Sequence, residues 1–181
     1  MSTFRTKRAP LLFCCAIAAA ACGSDESGPL SAESPKAPET AAVTACDLVT
    51  GDEGAAVLGE AVNDPVEQVI SPGSAETAAM SMCTVQATAT PGKTLSLSFR
   101  RSPVSDHQPD AVRQTLTESG VTAEDVPGIG ETAFWGASEL HVFFGGNSYL
   151  GVNVRGLDDG PGALARARDV AERAVERAGG A

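Results

Sequence analysis

Leu140-His141-Val142-Phe143-Phe144-Gly145-Gly146-Asn147-Ser148-Tyr149-Leu150-Gly151-Val152-Asn153-Val154 reads as two strands and their turn. Leu140, Val142 and Phe144 recur at every second position, and Leu150, Val152 and Val154 do the same after the glycines. A period of two with one apolar set predicts strands buried on one face. A three-residue loop, Gly145-Gly146-Asn147, pairs Val142 with Leu150 and Leu140 with Val152, so the apolar sets meet. Asn147 takes the left-handed position in this reading, which asparagine tolerates. His141, Phe143 and Tyr149 then share the opposite face.

The same logic holds upstream. Cys83, Val85, Ala87 and Ala89 alternate with Thr84, Gln86 and Thr88, and Leu95, Leu97 and Phe99 alternate with Ser96 and Ser98. A loop of Thr90-Pro91-Gly92 pairs Val85 with Leu97 and Cys83 with Phe99, with Gly92 in the left-handed position. Helical signals surround the two hairpins. Thr50 is an N-cap with Glu53 as its capping-box partner, opening a short helix that Gly59 ends. Residues 106–120 form a second helix, with Pro109 near its start, Ala111, Val112, Thr115 and Leu116 on one side and Gly120 at its end. The clearest helix covers 162–178. Its stripe is Leu164, Ala167, Ala171, Ala174 and Val175, and Asp169 with Arg173 and Arg168 with Glu172 are i,i+4 pairs. Short strands are expected over 66–70 and 132–135. The expectation is an α+β domain in the order helix-hairpin-helix-hairpin-helix. Its antiparallel sheet has about four or five strands, with helices packed mainly on one face.

The N-terminus carries a different message. Arg5, Lys7 and Arg8 precede an uncharged, mostly apolar run from Ala9 to Ala21. Thirteen residues are too few to span a bilayer, which takes about 20. A charged front, a short apolar core and a small-residue end fit a secretory signal peptide over 1–21. Ala19-Ala20-Ala21-Cys22 resembles the bacterial lipobox, with Ala19 where leucine is usual. That predicts a diacylglycerol thioether on Cys22 after cleavage. Acyl chains contribute about 0.8 kcal/mol per buried methylene, so two or three hold a protein on a membrane. The competing reading is an ordinary cleaved signal with an incidental cysteine. Residues 22–44, rich in Ser, Glu, Pro and Ala, cannot bury enough surface to offset ordering entropy. They are expected to be a lipid-anchored disordered linker with a reach of about 70–75 Å at full extension. The folded domain is expected over 45–181.

Composition narrows the partners. The chain has 13 basic and 23 acidic residues. The leader would take three basic residues with it, leaving a charge of about −13. Nucleic acid, whose phosphates demand basic patches, is an unsuitable partner. Five cysteines become three on cleavage, and lipidation of Cys22 leaves Cys46 and Cys83. In an oxidising compartment such a pair is most simply a disulfide. Metal ligation or a redox pair are the alternatives, against which stand the absence of a C-x-x-C motif and a total of two histidines. No metal or cofactor is predicted.

Cys46-Asp47-Leu48-Val49-Thr50, the Leu58-Gly59 helix end, Ser81-Met82-Cys83 and Gly128-Ile129-Gly130-Glu131-Thr132-Ala133-Phe134-Trp135 carry a family resemblance over about residues 45–155. Together they resemble a group of small bacterial lipoproteins of unknown function, common in actinobacteria. Those share a Cys-x-Leu-Leu-Thr helix start, a second cysteine beginning a strand and a Gly-Leu-Gly-Asp-x-Ala-Tyr/Trp turn. Val49 stands here where Leu is usual, and Glu131 where Asp is usual. The resemblance implies an anchored, disulfide-bonded domain outside the plasma membrane and carries no catalytic residues.

Few residues point to chemistry. His107, beside Asp106 and Asp110, reads as a solvated loop histidine. No G-x-S-x-G is present, and Gly128-Ile129-Gly130 lacks the third glycine and preceding strand of a dinucleotide site. Asp158-Asp159-Gly160 resembles a fragment of a calcium loop without its other ligands. Trp135, His141, Phe143 and Tyr149 are the candidate ligand-binding residues, with sheet or core packing as the competing role. The expected protein is a non-enzymatic binding or interaction module at the extracytoplasmic face of the cell membrane. It would be held by the lipid on Cys22, in the outer membrane if the organism has one, with an envelope ligand or protein as partner. The alternative is an envelope enzyme or enzyme inhibitor.

Overall fold

Two meanders meet at their last strands. The computed structural model describes residues 43–104, 108–157 and 161–179. The leader, Cys22, the linker up to residue 42, His107 and residues 158–160 lie outside the described residues. A 3-10 turn (Cys46–Leu48) leads into α1 (Gly51–Leu58), then β1 (Val66–Pro72), β2 (Ala79–Gln86) and β3 (Thr94–Arg101). Helix α2 (Pro109–Glu118) crosses to β4 (Glu124–Asp125), β5 (Thr132–Gly136), β6 (Glu139–Phe144) and β7 (Ser148–Arg155), and α3 (Pro161–Gly179) closes the chain. The strands form one antiparallel sheet in the order β1-β2-β3-β7-β6-β5-β4.

Seven strands among the described residues correct the expected four or five. The shortfall comes from the edges. Strand β4 is two polar residues, Glu124 and Asp125, and pairing with Trp135 and Phe134 is what makes it a strand. No alternation is readable in two residues. Strands therefore outnumber helices, and each expected hairpin is part of a longer meander. The helices divide unequally between the two faces. Helix α1 lies over β2 and β3 and α3 over β6 and β7, whereas Leu116 of α2 packs in a separate cluster with Phe134 and Phe143.

Register follows the apolar pattern, with one slip. Val142 pairs with Leu150 and Leu140 with Val152. The turn's left-handed residues are Gly145 and Gly146, at φ 59° and 71°, rather than Asn147. In the first hairpin Val85 faces Leu95 and Cys83 faces Leu97, two residues away from the expected pairing. The loop is longer than three residues, because Ala87 closes it onto Lys93. A slip of two keeps side chains on the same face, so the apolar pattern cannot detect it. Across the centre, Leu95, Leu97 and Phe99 face Val154, Val152 and Leu150.

These residues make the closed face. Leu48, Leu58, Val85, Leu95, Leu97, Leu140, Val142, Leu150 and Val152 are essentially inaccessible, and full burial contributes about 1.5–3 kcal/mol for each such side chain. Small residues bring the helices close. Ala167, Ala171, Ala174 and Ala178 are fully buried along α3. A Cβ on Gly54 would stand 2.6 Å from a Val85 methyl. Leu164 and Val175 flank the stripe, partly buried, so it is centred one row away from the expected position. Val43 already packs against this core, ahead of the expected start at residue 45.

Polar clasps tie the pieces. Thr50 and Glu53 form the reciprocal capping box. The same Glu53 receives Arg177 at 2.6 Å and Arg173 at 2.9 Å. Arg173 thus serves the α1–α3 contact in place of the expected pair with Asp169, while Arg168 does pair with Glu172 at 2.9 Å. Arginine hydrogen bonds hold the Glu53 carboxyl at about 2, against the opposing effect of burial. Cys46 and Cys83 form a disulfide with Cα atoms 4.9 Å apart, closing 37 residues, which contributes about 3–4 kcal/mol on the chain-entropy account.

Candidate functional site

On the other face of the sheet, the strand residues that point away from the core form two unlike halves. Over β5, β6 and β7 lie Phe134, His141, Phe143 and Tyr149, with ring centroids 5.1 Å apart for Phe134–His141 and 5.2 Å for Phe143–Tyr149. Leu116 and Val112 of α2 rest on this patch. Arg113 places its guanidinium 4.1 Å from the Phe134 ring centroid and pairs with Asp125. Between α2 and the sheet runs a cleft bordered by Arg100, Gln108, Val112, Phe143 and Tyr149.

Of the four predicted ligand-binding residues, the structure brings three together and removes one. His141, Phe143 and Tyr149 share this face. Trp135 packs against the main core on the opposite side, because it sits one residue beyond Phe134 on the same strand. The four therefore do not line one pocket.

His141 and Tyr149 belong to a hydrogen-bonded run that ends on a carboxylate. Tyr149 Oη donates to Glu139 Oε1 at 3.1 Å and lies 2.9 Å from His141 Nδ1. A phenol has one proton, so with that proton on Glu139 the imidazole Nδ1–H must donate to the phenol oxygen. This tautomer leaves Nε2 as an acceptor. It is buried without a hydrogen-bond partner among the described residues. Burial holds the imidazole below its ordinary value, opposed by the Glu139 carboxylate and the Gly136 backbone. Burial, then the neighbouring carboxylate, pushes the Tyr149 phenol well above its usual range.

Glu139 reaches this run because residue 151 has no side chain. A Cβ on Gly151 would lie 2.0 Å from Glu139 Oε1 and 2.8 Å from Tyr149 Oη. Neither Glu139 nor Gly151 was anticipated as functional. A glycine inside an apolar strand was the available signal, since it marks a close approach.

The second half of this face, over β2, β3, β7 and β6, is a shallow polar dish of about 280 Å³. Thr84, Ser96, Ser98, Glu139, Asn153 and Arg155 border it, with Met82 beside them. Arg155 Nε donates to Asn153 Oδ1 at 3.0 Å, and Asn153 Nδ2 donates to the Ser138 carbonyl at 2.8 Å. Thus Glu139 joins the two halves. It is braced by Tyr149 from one and presented to the other.

One group of metal-type ligands lies close together among the described residues, Cys46, Glu67 and Cys83. Two of its members are joined in the disulfide, which leaves no thiolate to ligate. No described helix is long and apolar enough to cross a membrane. Comparison with protein-family models, curated proteins and solved structures finds no match.

Proposed function

We propose that this chain is a lipid-anchored extracytoplasmic binding module that presents the polar dish to an envelope ligand. The observation that carries the reading is the asymmetry of the sheet. Among the described residues, one face is sealed by α1 and α3, while the other is only half covered, by α2. The uncovered half has a braced carboxylate at its border. The N-terminal pattern ending in Cys22 supports anchorage, and the disulfide supports an oxidising compartment.

An envelope enzyme is the second reading, favoured by the His141–Tyr149–Glu139 run. Two titratable groups in hydrogen-bond reach are the minimum for acid–base work. His141, however, is 6 % exposed, and of the three only Glu139 borders the dish. The run serves Glu139 better as a brace than as a relay to substrate.

Two measurements test the proposal. A Cys22→Ser chain should move from the membrane fraction to the soluble fraction, and retention in the membrane would contradict anchorage. A photo-crosslinking side chain placed at Ser98 should give adducts in intact envelopes. The same group at Glu176, on the outer side of α3, should give none. Adducts from both positions, or from Glu176 alone, would sink the binding-face reading.

A further inference from the structure

The dish has a hydrogen-bonding chemistry that selects among ligand classes. The hydroxyls of Thr84, Ser96 and Ser98 are half-buried and make no hydrogen bond to other described residues, so in the free protein they face water. Any ligand that dries this surface must replace those water contacts. A hydroxyl left unpaired there incurs the full desolvation penalty of the group. That penalty weighs against an apolar ligand. A peptide strand is disfavoured too, because the backbone groups under the dish are already paired within the sheet. An anion would meet the Glu139 carboxylate, and a cation would meet the Arg155 guanidinium and use the hydroxyls only as acceptors, leaving their O–H donors unpaired. What remains is a neutral ligand whose own groups both donate and accept. Its O–H groups would donate to Glu139, accept from Arg155 and exchange bonds in either direction with the serine and threonine row.

Size narrows the class further. The dish crosses four neighbouring strands, which at about 4.8 Å spacing is about 14 Å, wider than a single pyranose ring. We infer that the dish binds a stretch of a neutral polyhydroxylated chain, an envelope polysaccharide, with Glu139 as its principal acceptor. Tyr149 and Gly151 act as positioning residues, one bracing the carboxylate and the other leaving it room. This inference rests on the reading of the dish as the binding face.

The test uses the full lipidated chain in detergent, passed over amylose, cellulose, mannan and chitin, with immobilised polylysine as the cationic comparison. Retention is expected on at least one neutral polysaccharide. Glu139→Gln should weaken it roughly tenfold, the equivalent of one charge-assisted hydrogen bond. Ser96→Trp should abolish it by filling the dish, and Glu176→Gln should leave it unchanged. Because the two dish variants act by different means, a folding defect in one, read by near-ultraviolet circular dichroism, still leaves the other as a test. Retention on none of the four polysaccharides would overturn the ligand class. If the chain were retained on polylysine alone and Glu139→Gln released it, the polyhydroxyl chemistry would be wrong while the binding face stood. Polysaccharide retention untouched by either dish variant would overturn the face itself.

Discussion

On β3, Leu97 and Ser98 are chain neighbours that face opposite sides of one sheet. Leu97 is fully buried in the main core, and Ser98 borders the open dish. The same contrast repeats on β7, where Leu150 and Val152 enter the core while Gly151 and Asn153 face outward. A strand assigns its odd and even positions to different tasks at no cost to either, because the backbone ladder serves both. In this molecule one face carries the main core, and a smaller apolar cluster lies under α2 on the other. The rest of that second face is free to keep hydroxyls, a carboxylate and a glycine that contribute little to stability.

If that division is right, paired substitutions across the sheet should differ widely. Leu150→Ala should cost about 3 kcal/mol through lost burial and the cavity left behind. Ser98→Ala should stay within about 0.5 kcal/mol. Denaturant titration reads both, and similar costs would break the comparison.

Acid should open the closed face first at its clasp. The Glu53 carboxyl is held at about 2, below its ordinary 4.5. A depressed carboxyl contributes stability above the ordinary value and loses it as pH falls toward the folded one. The clasp is partly solvated, so the contribution is about 2 kcal/mol after screening. Unfolding followed between pH 5 and 2 should show this loss in the parent chain and a much flatter profile in Glu53→Gln.

The open face should titrate in a separate window. His141 lies below its ordinary value of 6.5 because of burial. The unfolded chain therefore takes up the proton first, and stability declines as pH falls below 6.5. His141→Gln should flatten the profile just below pH 6.5 and leave the Glu53 window in place. A decline below pH 6.5 that is the same in parent and variant would show that the imidazole is not held as described.

Smallest of these effects is that of Arg113, which fastens α2 to the open face through Phe134 and Asp125. Arg113→Ala should cost about 0.5–1 kcal/mol. Faster amide exchange should be confined to α2 and β4, leaving α3 unaffected.

These contrasts also explain what could be read in advance. Parity was legible: the second hairpin's pairing and the shared face of His141, Phe143 and Tyr149 follow from a period of two. Translation by two residues was not, because Ala87 and Ala89 present the same parity and the loop length decides between them. Strand β4 was illegible, since Glu124 and Asp125 have no pattern of their own and acquire strand geometry from β5. The side chosen by α2 was equally hidden, because its contact rests on Leu116 and Val112 alone among large apolar side chains. Glu139 was missed because it stands outside the apolar alternation, and its role depends on a vacancy at Gly151 on the neighbouring strand.

Ser96→Trp tests the division of labour most directly. Ser96 sits in the middle of the dish, opposite Thr84 and Asn153, and an indole there fills the open face without touching the core. Denaturant unfolding and retention on the neutral polysaccharides should be measured on the same preparation. An unfolding free energy within about 0.5 kcal/mol of the parent, together with lost retention, is the predicted result. A fall of several kcal/mol, or retention equal to the parent, would contradict it.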